Sequence, residues 1–172
     1  MPVAPVHHIS ISVKSLDDSI HFYRDVLGMK VTLEATIDDE SHIEYLRLHP
    51  NTSGRVAMLQ VGPPIGAVQL IEWSRTDLSS SPLRPGSPGA FLIAFELHEE
   101  TMDDFLVRVQ KYQVLPWTLP KTSTIPNYGT IRTVVIEDPD GLMIEILELP
   151  TRDSIMKLRQ QNENRGTQNE EQ

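Results

Sequence analysis

Two polar side chains interrupt otherwise apolar strand-like runs: Gln69 in Val68-Gln69-Leu70-Ile71, and Glu145 in Ile144-Glu145-Ile146-Leu147. A third candidate, His8, lies in an alternating run with Ser10 and Ser12 on its own face and Ile9, Ile11 and Val13 on the other. A carboxylate taken out of water without a partner is costly, so a buried Glu145 requires a cation, a hydrogen-bond donor or a proton. Imidazole nitrogen, amide oxygen and carboxylate oxygen together suit a borderline divalent ion. A plainer reading stands beside this one. His8 is then a strand-end residue, and Glu145 lies on a solvated face with Ile144 and Ile146 turned inward.

The elements that would carry these residues follow from periodicity. Period-two alternation over 6–13 predicts a strand. A helix follows: Ser15 with Asp18 forms a capping box, Ile20, Phe22, Tyr23, Val26 and Leu27 form the apolar stripe, and Gly28 sits where the helix should end. Strand-like runs come next at 30–37, 43–48, 55–61 and 67–73. The stretch 74–89, rich in Ser, Pro and Gly, reads as a linker. The pattern then returns, with a strand over 91–97 and a helix capped by Thr101 and Asp104 that carries Phe105, Leu106, Val109 and Tyr112. Strands over 131–136 and 142–149 close it, joined by Asp138-Pro139-Asp140-Gly141, a type I turn signature.

The halves align on each other. His8-Ile9-Ser10-Ile11 matches Leu92-Ile93-Ala94-Phe95, and Val68-Gln69-Leu70-Ile71-Glu72 matches Ile144-Glu145-Ile146-Leu147-Glu148. The chain therefore reads as an internal β-α-β-β-β duplication, with modules at 1–73 and 90–150 and an α+β fold. The repeat pairs His8 with Leu92 and Gln69 with Glu145. If each helix packs on the Ile9/Ile11 or Ile93/Phe95 face, the His8 and Leu92 faces line a cleft. The last segment, 151–172, is polar and Gln/Asn-rich and reads as a disordered tail.

Composition excludes several classes. Fifteen basic and 24 acidic residues give 15 − 24 = −9, a surface that phosphate backbones repel, so no nucleic-acid partner is expected. With no cysteine there is no disulfide, no thiolate metal site and no Cys nucleophile. The first residues have neither a basic n-region nor a long apolar run, and no segment reaches membrane-spanning length; a soluble cytoplasmic protein is expected.

These segments resemble the vicinal oxygen chelate superfamily, the glyoxalase, bleomycin-resistance and dioxygenase fold group. The resemblance is carried by Val6-His7-His8-Ile9-Ser10-Ile11-Ser12-Val13, Phe22-Tyr23-Arg24-Asp25-Val26-Leu27-Gly28, Gly66-Ala67-Val68-Gln69, Gly89-Ala90-Phe91-Leu92 and Asp138-Pro139-Asp140-Gly141 with Glu145. It implies two tandem βαβββ modules curling into a half-barrel cleft around a divalent metal. Four ligand positions carry over as His8, Gln69, Leu92 and Glu145, with Gln in the second place as in the epimerase branch. Leu92 binds no metal where the family usually has His. Three readings follow: a three-ligand site for Mn, Co, Ni, Zn or Fe, a fourth bond from a side chain such as His42, or a metal-free site.

The family's chemistry stabilises an oxyanion while a base moves a proton. The resemblance thus implies an isomerase, epimerase or lyase acting on a small, oxygenated, fairly apolar substrate. Glu145 would be ligand or base, His8 ligand or acid–base partner, and Gln69 a neutral group orienting the oxyanion. The alternative is a metal-free member that binds a ligand or guides a rearrangement in an apolar cleft walled by Leu92 and Trp73. A ring-cleaving Fe(II) dioxygenase is a further alternative, weakened because it needs two His and one carboxylate. Tyr45 and Arg47 are weaker candidates for substrate contact, since a solvated strand face is the better explanation of them. Whether modules pair within one chain or by exchange in a homodimer stays open.

Overall fold

The computed structural model describes residues 5–38, 44–62, 65–75, 82–86 and 88–170, with backbone alone over 163–170. The chain divides into two compact units, Met1–Pro82 with Asp138–Gly141, and Leu83–Glu137 with Leu142–Gln172. Among the described residues, each unit holds one four-stranded mixed sheet, and the fold is α+β. No helix among those residues is long and apolar enough to cross a membrane.

The first unit runs β1 (His8–Ser12), α1 (Leu16–His21), β2 (Lys30–Ile37), β3 (Gly54–Gln60) and β4 (Ala67–Trp73). Its sheet order is β1-β4-β3-β2, with β1 parallel to β4 and the other pairs antiparallel. Ser15 caps α1 by accepting from the Asp18 backbone N–H at 3.3 Å, which satisfies one of the orphan donors of the first turn. The helix continues into a π-helical turn, Phe22–Val26, and stops at Gly28, whose φ of 77° suits a residue without Cβ. Alternation sets Val68, Leu70 and Glu72 on one face of β4. The Glu72 carboxylate accepts from the Leu16 N–H at 2.7 Å, so this is the face that α1 covers. Leu16, Tyr23, Leu59, Val68 and Leu70 are buried there, each side chain contributing about 1.5–3 kcal/mol.

The second unit repeats the plan with β5 (Leu92–Glu96), α2 (Met102–Lys111), β6 (Lys121–Ile125), β7 (Gly129–Glu137) and β8 (Met143–Glu148). Its order is β5-β8-β7-β6, again with one parallel pair, β5 with β8. Thr101 caps α2 by accepting from the Asp104 N–H at 3.2 Å. Met102, Phe105, Val109, Val134, Ile136, Ile144 and Ile146 form the core.

Three elements differ from the sequence reading. In the run 43–48, whose first residue lies outside the described residues, 44–48 form no strand: 44–45 are helical, and the Arg47 N–H bonds to the Glu44 carbonyl with φ of 55° at Arg47. A second turn follows at once, in which Thr52 bonds the His49 carbonyl through both backbone and side chain, and Pro50 supplies its second residue. Apolar Tyr45 and Leu46 suggest a strand, but local hydrogen bonds close turns instead. Conversely Lys121-Thr-Ser-Thr-Ile125 lacks apolar alternation, yet forms edge strand β6 through its backbone pairing with β7. Finally, the segment read as a disordered tail is helical over α3 (Arg152–Glu170). Thr151 accepts from the Ser154 N–H, and the run is rich in Arg, Lys, Gln and Glu, which lose little freedom in a helix. Arg159 and Asn162 also donate to the backbone and side-chain oxygens of Asn127. Residues 76–81 and 87 of the 74–89 linker, and His42, lie outside the described residues.

Candidate active site

In the first unit the parallel register pairs His8 with Ala67, Ser10 with Gln69 and Ser12 with Ile71. These side chains, with Trp73, stand on the sheet face opposite α1. Ser10 Oγ donates to Gln69 Oε1 at 2.7 Å, and Trp73 Nε1 donates to Ser12 Oγ at 3.1 Å. Gln69 is half-buried, and its amide nitrogen has no partner among the described residues. His8 is exposed, and its Nδ1 lies 2.9 Å from His7 Nδ1 with the rings edge to face. One of these nitrogens carries the proton and the other accepts it. When His8 is the donor, its Nε2 presents a lone pair for a ligand or proton.

Trp73 depends on its neighbour across the ladder. Gly54 is its register partner, and a Cβ there would fall 2.8 Å from Trp73 Cε3 and 3.2 Å from Ile71 Cγ2. The indole lies over a residue that has no side chain, which leaves its other surface available as a wall.

In the second unit Glu145 pairs with Ala94 on β5 and Val135 on β7, on the face away from α2. It is half-buried and has no hydrogen bond or ion pair among the described residues. Leu92, half-buried opposite Met143, shares that face. Unit one thus joins His8, Gln69 and Trp73 on one surface, and unit two joins Leu92 and Glu145. Tyr45, 82% exposed, and Arg47 lie in a turn and not on the strand face that the sequence suggested for them. Among the described residues no group of three His, Cys, Asp or Glu side chains is placed to hold a metal.

The helix-covered faces carry features that sequence reading missed. Arg55 on β3 bonds Asp17 in the first turn of α1 at 2.7 Å and Glu72 on β4 at 3.4 Å. Arg132 on β7 does the same with Asp103 of α2 at 2.7 Å and Glu148 of β8 at 3.3 Å. Hydrogen bonding to the guanidinium, then its charge, holds the Asp17 and Asp103 carboxyls below the ordinary Asp range. The clue was present in the strand match, where Glu72 aligns with Glu148, but the partners are visible only in the folded chain. A hollow of about 440 Å³ beside Arg55, lined by Thr36, Asp38, Ser53, Glu72 and Ser74 among others, takes in none of the candidate residues.

The Asp138–Gly141 turn belongs to the first unit. Gly141 N–H bonds the Asp138 carbonyl at 3.0 Å, and the Asp138 carboxylate accepts both the Asp140 N–H and the hydroxyl of fully buried Tyr23. Burial, then the Asp138 charge, pushes the Tyr23 hydroxyl far above its ordinary pKa.

A family model described as the glyoxalase/bleomycin resistance protein/dioxygenase superfamily matches residues 6–146. A protein from an Actinomyces species named 2-epi-5-epi-valiolone epimerase is 26% identical over 148 residues, 84% of this chain and 79% of its own length. A solved glyoxalase family protein from Bacillus cereus superposes with a TM-score of 0.70 at 19% identity, covering 88% of this chain and 97% of that one. Glyoxalase I from Leishmania major, described as trypanothione-dependent, gives 0.56 at 21% identity over 96% and 99%. At such identities the structural likeness is one of fold.

Proposed function

The chain belongs to the glyoxalase/bleomycin resistance protein/dioxygenase superfamily, and we propose that it is an enzyme moving a proton on a small, oxygenated substrate, of isomerase, epimerase or lyase type. The observation that carries this is Glu145, a half-buried carboxylate on the helix-free face with no protein partner among the described residues. Such a group is suited to take a proton from a C–H next to a carbonyl, or to meet a cation. A developing enolate oxygen needs donors, and Gln69 and His8 on the first unit are groups of the kind that supply them, His8 serving either as ligand or as acid–base partner.

The donor types present fit a divalent ion. In the first unit His8 Nε2 and the free lone pair of Gln69 Oε1, and in the second the Glu145 carboxylate, are donors of the kind that would hold such an ion, whereas Leu92 offers none. When bound, the ion would polarise substrate oxygens as a Lewis acid. Leu92 favours one second reading, a metal-free member whose apolar surface at Leu92 helps hold a ligand through a rearrangement.

The named relative supplies a probe. Incubated in D2O with 2-epi-5-epi-valiolone and Mn2+ or Co2+, the protein should exchange the proton beside the ketone, visible by NMR. Glu145→Gln should slow exchange by about 10²–10⁴-fold. Exchange that persists in excess chelator and falls on Glu145→Gln selects the metal-free reading. Exchange at the wild-type rate in Glu145→Gln removes Glu145 from the chemistry.

A further inference from the structure

A primary amide has two ends of nearly equal size, and turning it over exchanges an oxygen for an NH2 at little steric cost. A glutamine asked to present oxygen in one direction therefore needs something to tell its ends apart. Gln69 has such a partner. Ser10, its register neighbour on β1, donates to Oε1 at 2.7 Å, a separation typical of O–H···O that engages the oxygen end of the amide.

The second unit supplies the control. Glu145 occupies the β8 place that Gln69 holds on β4, and its register neighbour on β5 is Ala94, where β1 has Ser10. A carboxylate has two equivalent oxygens, so turning it over changes nothing and no orienting hydroxyl is needed. The hydroxyl is present beside the amide and absent beside the carboxylate.

We propose that Ser10 is a positioning residue that fixes the Gln69 carboxamide oxygen as a ligand, using one lone pair and leaving the second for a divalent ion. The inference rests on the reading of Gln69 as a ligand given above. Outer bonds to ligating groups of this kind typically change metal affinity 10–100-fold.

The test is calorimetric titration of the full, untagged chain with Co2+, followed also by the cobalt visible absorption, with thermal unfolding as a folding check. Ser10→Ala should weaken Co2+ binding about 10-fold, and Ser10→Thr should restore it. The double variant Ser10→Ala/Gln69→Ala should bind no worse than Gln69→Ala alone. In a Gln69→Glu background, Ser10→Ala should have no effect, because a carboxylate has no wrong end; a merely structural serine would still matter there. Ser10→Ala binding like wild type while Gln69→Ala binds weakly overturns the role of Ser10 alone. So does a loss from Ser10→Ala that recurs unchanged in the Gln69→Glu background. Gln69→Ala binding like wild type, or a wild type that takes up no Co2+, overturns the ligand reading itself and this inference with it.

Discussion

The two units cover one sheet face in the same way and diverge in the polar residues of the other. On the helix-covered faces, a capped helix sets an Asp two residues past the cap against an Arg on the third strand and a Glu on the fourth. This is Asp17, Arg55 and Glu72 in one unit and Asp103, Arg132 and Glu148 in the other. On the opposite faces, His8, Ser10, Gln69 and Trp73 correspond to Leu92, Ala94, Glu145 and the stretch after β8. The helix face is held by burial and by a shared ion network, so both copies retain it. The opposite face also buries Val56, Ala67 and Ile71 in one unit and Met143 in the other, but its polar positions differ, an amide and its orienting hydroxyl in one copy and a bare carboxylate beside leucine in the other.

The largest expected effect separates the two faces of a single strand. Glu145→Gln should reduce turnover by about 10²–10⁴-fold with little change in melting temperature. Glu148→Gln, on the helix face, should do the reverse, lowering the melting temperature and leaving turnover intact. Equal effects on both would erase the division of labour between faces.

Gly54 sharpens the contrast between units. Its place before Arg55 corresponds to Ile131 before Arg132, so the second unit accepts a branched side chain there. Gly54→Ala should displace the Trp73 indole, since the new Cβ would fall within 2.8 Å of it. A cost of about 1–3 kcal/mol in denaturant unfolding and an altered tryptophan emission are expected. An unchanged emission spectrum would show that Trp73 is not held by this contact.

Tyr23 stands at the helix position that Val109 fills in the second unit, and only the tyrosine carries a buried hydroxyl. Tyr23→Phe should cost about 1–2 kcal/mol by leaving Asp138 without that donor. The pKa of the folded-state hydroxyl is raised, so its contribution is complete below the ordinary tyrosine value of about 10 and is lost as pH rises further. The stability gap between wild type and Tyr23→Phe should therefore narrow above pH 10. A gap that widens there would reverse the sign and overturn the assignment.

The smallest effects belong to the ion networks. Arg55→Gln and Arg132→Gln should each lower stability slightly, by similar amounts, with the difference shrinking as salt is raised. The Asp17 and Asp103 carboxyls are depressed, so what they contribute is present above the ordinary Asp range and fades as pH falls through it. Unequal losses at low salt would show that the two networks are not equivalent.

Much of the fold is legible in the sequence. Alternation at 6–13, 67–73 and 142–149 marks strands because one face of each must be apolar to be buried. Ser15 with Asp18 and Thr101 with Asp104 announce helix starts because only such side chains can accept the first backbone N–H groups. The matches of Gln69 with Glu145 and of His8 with Leu92 follow from the duplication alone, and so do the candidate residues. Local pattern misleads where hydrogen bonds rather than burial decide. Residues 44–47 close a turn despite apolar Tyr45 and Leu46, β6 pairs despite its polarity, and α3 forms in a segment with almost no apolar face.

What the sequence by itself determined is which residues sit on which face of which strand, since a period of two admits no other arrangement once one face is apolar. Only the tertiary structure decided who stands opposite whom. That Ser10 faces Gln69, that Gly54 makes room for Trp73, and that Arg55 and Arg132 each tie a helix to two strands all depend on register between segments 16 to 59 residues apart. Register is set by the pairing of whole strands and the docking of a helix, and no single strand's sequence contains it.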